Sequence, residues 1–109
     1  GEDLPAYFCN NETFAKKIEN LNKEKLRCWR LPLYSPYLFK IKSQVADLSN
    51  ASLDGMAGSI TAALFLQEFL KSPNIPWFHF DTFAWSQDSK GAALQGLDIM
   101  SDFLRKNFN

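Results

Sequence analysis

The sequence predicts an α/β domain, with helices packed on a few central strands. Three observations point there. Segments with apolar residues at helical spacing alternate with short strand-like runs along the 109 residues. Pro76–Phe83 alternates so that aromatic rings fall on both faces of a strand, as in a sheet covered on both sides. Met56–Leu70 is apolar on almost every side, the composition of a buried helix.

The elements follow in order. Asn10 and Asn11 are good N-caps, because a short carboxamide oxygen accepts from the free amides of a first turn. Phe14, Ala15, Ile18 and Leu21 then recur at helical spacing, and Glu19 and Lys23 stand four apart, which predicts an amphipathic helix over Glu12–Lys25. Cys28–Leu33 reads as a strand that Pro32 confines to its end or to a sheet edge. Pro36 opens a short helix over Tyr37–Ser43. Gln44–Leu48 is a brief strand or extended link, and Ser49–Gly55 a loop.

In the Met56–Leu70 helix, Gly58, Ala62 and Ala63 are small enough to let a neighbouring backbone come close, and Pro73 ends the segment. In the following strand Trp77, His79, Asp81 and Phe83 share one face, and Phe78, Phe80 and Thr82 the other. A last helix is predicted over Ala92–Asn107, with Ala93, Leu97, Met100, Leu104 and Phe108 as its apolar stripe. The predicted order is helix, strand, helix, short strand, helix, strand, helix, without repeats or low-complexity tracts.

Hydrophobic residues make up 46% and charged residues 22%, a globular balance that excludes a disordered chain. Twelve basic residues balance twelve acidic ones, so no net field draws in nucleic acid or an anionic membrane. Lys16, Lys17, Lys23, Lys25 and Arg27 cluster, but Glu19 and Glu24 sit among them, as on a solvated helix face. Two cysteines, Cys9 and Cys28, make no disulfide framework and suit reduced thiols in a cytoplasmic protein. The most apolar stretch, Ile60–Leu66, is far short of the ~20 residues of a membrane span. The chain opens on Gly1 rather than Met, which leads us to expect a piece of a longer protein.

The chemistry visible in the residues alone is sparse. His79 is the single histidine, and Asp81 shares its strand face. The pair reads as structural polar residues of the interior ahead of a shared ion site, since a metal needs several converging donors. There is no Cys-x-x-Cys, no His-x-x-x-His and no phosphate-cradling glycine loop. On these grounds no catalytic residue and no metal ligand is assigned.

Four blocks carry a resemblance. Trp29-Arg30-Leu31-Pro32-Leu33 is followed by Lys42-Ser43-x-x-Ala46-Asp47-Leu48-x-Asn50. Then come Ala57-Gly58-Ser59-Ile60-Thr61-Ala62-Ala63-Leu64-Phe65-Leu66-Gln67-Glu68-Phe69 and Trp77-Phe78-His79-Phe80-Asp81. In this order and spacing they resemble the leucyl (cytosol) aminopeptidases, the M17 metallopeptidase family. The ends of the chain fit more loosely, so the likeness covers nearly its whole length.

The resemblance implies residues 1–109 as a C-terminal fragment of an M17-like α/β catalytic domain, with the metal-binding part missing upstream. It implies a parent enzyme, a dinuclear metallo-aminopeptidase that hydrolyses N-terminal residues from peptides. Two divalent ions, zinc or manganese, would be held by a lysine and acidic residues in and before an Asn-Thr-Asp-Ala-Glu-Gly-Arg motif that this chain lacks. None would bind the fragment, which is expected to be inactive. The parent would be a cytoplasmic homohexamer and the fragment self-associating. Family members line the pocket for the first substrate side chain with residues just after the strand aspartate, usually Asp-Ile-Ala-Gly. Here the run is Asp81-Thr82-Phe83-Ala84-Trp85, shorter and bulkier, which makes Phe83 and Trp85 the pocket candidates. Leu94 and Asp98 replace a usual glycine and arginine. The alternative is a family member without catalysis, serving as a scaffold or nucleic-acid binder.

Overall fold

A computed structural model describes residues 3–41, 57–82 and 95–108. The central strand is one that sequence patterning missed. β1 (Ala6–Cys9) pairs in parallel with β2 (Trp29–Arg30) and antiparallel with β3 (Phe78–Asp81), giving the order β2-β1-β3. Ala6 lies between Trp29 and Asp81, and Cys9 ends opposite Phe78. All four residues of β1 are buried. Four consecutive apolar residues between Pro5 and the Asn10-Asn11 pair are too short a run to announce a strand by alternation, and that is why the pattern concealed it.

α1 (Glu12–Leu21) starts where the cap predicts: the Asn11 side chain accepts from the Phe14 amide at 3.0 Å. It ends a turn earlier than Lys25, because Asn22 is committed elsewhere. The Asn22 Oδ1 accepts from the amides of Arg27 (2.9 Å) and Cys28 (3.3 Å), folding the chain back towards β2. Glu19 takes the Tyr7 hydroxyl. Asn10 caps nothing; its side chain and backbone clasp Ile75 and Trp77 at the entry to β3.

β2 is shorter than Cys28–Leu33, although the Leu31 amide still reaches the Tyr7 carbonyl at 2.9 Å before Pro32 ends the pairing. The helix predicted after Pro36 is a 3-10 helix, Ser35–Ile41. The Gln44–Leu48 and Ser49–Gly55 readings lie outside the described residues. α2 (Gly58–Gln67) packs on the 3-10 helix.

α3 (Leu97–Phe108) follows Gly96, whose φ of +80° and close neighbours, Thr82 Cγ2 at 3.3 Å and Phe80 Cδ1 at 3.6 Å, both demand glycine.

The sheet is a middle layer. On one face, Tyr7, Cys9, Phe78 and Phe80 meet Ala15 and Ile18 of α1, Cys28, and Ile99 and Phe103 of α3. On the other, Ala6 and Phe8 meet Ala63, Ile60, Leu31, Leu33 and Trp77. The alternation predicted for β3 is therefore the one observed.

Three expectations change. Among the described strands β3 is an edge strand, because β1 takes the centre. The buried side of α3 is Ile99 and Phe103, not the stripe through Leu97, Leu104 and Phe108, which are exposed. Both sets have helical spacing; the ring of Phe103 wins because it fits between Phe14 and Phe78. Finally, α2 is not buried on most sides: Thr61, Ala63 and Leu64 face inward, while Leu66 is open to solvent.

Candidate functional site

The polar residues that the sequence singles out meet where β3 ends against the start of α2. α2 opens on Ala57 in the left-handed region (φ 56°, ψ 39°), with no side-chain cap. Thr61 Oγ1 turns back to the carbonyls of Ala57 (3.2 Å) and Gly58 (3.0 Å). Asp81, the last residue of β3, accepts a hydrogen bond from the Ser59 hydroxyl. A carboxylate from another element thus stands at the positive end of the α2 dipole, where negative charge is stabilising.

His79 lies two residues back on the same strand face, half-buried. Its ring stacks between those of Phe8 and Trp77, with both centroid separations 6.1 Å. Burial pulls the imidazole below its ordinary pKa, and the Asp81 charge partly offsets this. The ring is therefore neutral at neutral pH and serves as a flat, packed surface. Sequence reasoning placed His79 and Asp81 on one face; the structure gives them different partners, rings for His79 and the Ser59 hydroxyl for Asp81. Phe83 and Trp85 lie outside the described residues.

Neither cysteine is set up as a nucleophile. Burial pushes the Cys28 thiol up to about 11, and raises Cys9 as well. The Tyr7 phenol, buried and bonded to Glu19, is also raised. Sequence reasoning also missed an ionic clasp. Arg27 reaches Asp98 at 3.1 Å and Asp102 at 2.8 Å, tying the α1–β2 turn to α3. No single segment shows it, since its members are about seventy residues apart.

Among the described residues, no three histidine, cysteine or acidic side chains converge to hold a metal ion. The available donors do not fit a metal pair either: His79 is sandwiched between rings and Asp81 is engaged by Ser59.

Comparison with known proteins gives this arrangement its context. The family model described as "Cytosol aminopeptidase family, catalytic domain" matches residues 1–100. The chain belongs to the cytosol aminopeptidase family. A probable cytosol aminopeptidase of Syntrophotalea carbinolica is 38% identical over 86% of this chain and 18% of its own length. The cytosol aminopeptidase of Buchnera aphidicola is 36% identical over all of this chain and 22% of its own.

Among solved structures, the cytosol aminopeptidase of Coxiella burnetii superposes with a TM-score of 0.87 and 41% identity, over 100% of this chain and 25% of that one. A tomato leucine aminopeptidase variant superposes at 0.83 with 29% identity, over 98% of this chain and 21% of that one. The α/β fold is thus that of leucine aminopeptidases. The chain spans about a fifth of the length of the curated relatives it matches. No helix among the described residues is long and apolar enough to cross a membrane.

Proposed function

We propose that this chain is the C-terminal portion of the catalytic domain of a metal-dependent aminopeptidase, which releases N-terminal residues from peptides in the cytoplasm. The observation that carries the reading is the match to the family's catalytic domain over residues 1–100, joined to a superposition that uses only a quarter of the Coxiella chain. The two divalent ions, zinc or manganese, belong in this reading to ligands outside the chain. When bound they would activate water and polarise the scissile carbonyl.

This portion contributes packing under the site. Through Phe83 and Trp85 it also contributes bulk to the pocket for the first substrate side chain. The junction of Asp81 with α2 supports that assignment, because it fixes the point at which the chain leaves β3 towards them. The parent is a homohexamer in this reading, and the isolated chain, with strand edges open, self-associates.

The test is to express the whole gene product that contains this chain and assay leucine para-nitroanilide with added manganese or zinc. Metal-dependent hydrolysis is the expected result. A folded product without turnover on any aminoacyl substrate overturns the reading and favours a non-catalytic scaffold. The 109-residue chain by itself is expected to stay at the blank.

A further inference from the structure

The outer side of α2 has no partner among the described residues. At 100° per residue, Thr61, Ala63 and Leu64 fall on the side facing the sheet and the 3-10 helix, where they are buried. Gly58, Ala62, Phe65 and Leu66 fall within one arc of about 100° on the opposite side, and Phe69 continues that line just beyond the helix end. Every member is apolar. Phe69 is 67% exposed and Leu66 41%. The Phe65 and Phe69 rings meet edge to face at 5.1 Å, so the outer side is already an ordered aromatic surface. At its other end it is thin: a Cβ added at Gly58 would meet nothing within 4 Å. The 3-10 helix packed beside α2 exposes a further ring, Phe39.

A helix apolar on both sides belongs between two packed layers, and this chain provides one of them. We propose that the outer side of α2, through Ala62, Phe65, Leu66 and Phe69, is the docking surface for the rest of the parent's catalytic domain. This rests on the function proposed above, and the length outside the chain argues for that occupant. The matched region is a quarter of the Coxiella chain and about a fifth of the curated relatives. Ample polypeptide of the same molecule thus exists to form the second layer. The small end at Gly58 and Ala62 admits a close backbone, and the ring end takes larger side chains.

Hydroxyl-radical footprinting of the whole, unaltered gene product tests this without a mutation. Oxidation of Phe65, Leu66 and Phe69 is compared between the native protein and the same protein in urea. Docking predicts protection of about tenfold or more at all three. Rates within about twofold of the unfolded ones would overturn the proposal. Protection that vanishes on dilution to single subunits would also overturn it, since the occupant would then be a second copy. The footprint does not depend on turnover. An inactive but protected product refutes the proposed activity alone, and an active but unprotected one refutes the docking surface alone.

Discussion

Replacing Phe103 by Ala measures how far α3 closes the first core. The ring is 1% exposed and meets Phe14 edge to face at 5.6 Å and Phe78 at 5.1 Å. It thereby links α3 to both α1 and β3. Truncating a buried phenylalanine costs about 3–5 kcal/mol, through lost transfer energy and the cavity left behind. The two edge-to-face contacts, worth roughly 0.5–1.5 kcal/mol each, belong to that total.

A domain of this size has about 5–15 kcal/mol to lose, so the variant should sit near the edge of folding. Urea unfolding followed by tryptophan emission gives the number. At about 1–3 kcal/mol per molar, the midpoint should fall by more than ~1 M with the slope unchanged. The control is Leu104→Ala, one residue on and 48% exposed, for which a change within about 0.5 kcal/mol is expected. If Leu104→Ala costs as much as Phe103→Ala, the buried side of α3 is the Leu97–Leu104–Phe108 stripe and the packing described above is wrong.

Asn11→Ala removes the side-chain acceptor for the Phe14 amide; about 0.5–2 kcal/mol should be lost in urea titration, and Asn11→Ser should restore most of it. His79 gives a pH dependence whose sign is fixed. Its folded pKa lies below that of the unfolded chain, so unfolding takes up a proton and stability falls as pH drops below about 6.5. His79→Phe should flatten that part of the melting profile, measured as the Tm difference between pH 7.5 and pH 5.5. Ser59→Ala removes the donor to Asp81 and should lower the Tm, while Ser59→Thr should keep it near the original value.

How much was legible beforehand depended on the range of the interaction. The caps and strand alternation are local: Asn11 declares α1, and Trp77, His79 and Asp81 share a face in the structure as their spacing requires. The four family blocks were legible in the same way and specified the fold. β1 was not legible, because its four apolar residues acquire strand character from the neighbours on both sides rather than from their own pattern. The buried side of α3 was decided by Phe14 and Phe78, each remote in sequence from Phe103. The Arg27 clasp is a long-range pairing of the same kind. Of the site, the sequence located Asp81 but not Ser59, its donor, which sat unremarked inside the α2 block.

The two sides of the sheet differ in what completes them, and the difference can be read by substitution. The side of Tyr7, Phe78 and Phe80 is closed by α1 and α3, both within this chain. A change there, such as Phe103→Ala, should cost the isolated chain and the whole gene product alike. The side of Phe8 and Trp77 is closed by α2, whose own outer surface remains open. Ala62→Arg separates the two cases. Ala62 is only half-buried here, so a guanidinium can reach water from it and the isolated chain should tolerate the change. In the whole gene product the same charge would enter an apolar contact unpaired, and a loss of several kcal/mol follows, of the order of ~3–5. Equal tolerance in both would mean that α2 faces solvent in the parent too, and that its apolar outer side has some use other than packing within the domain.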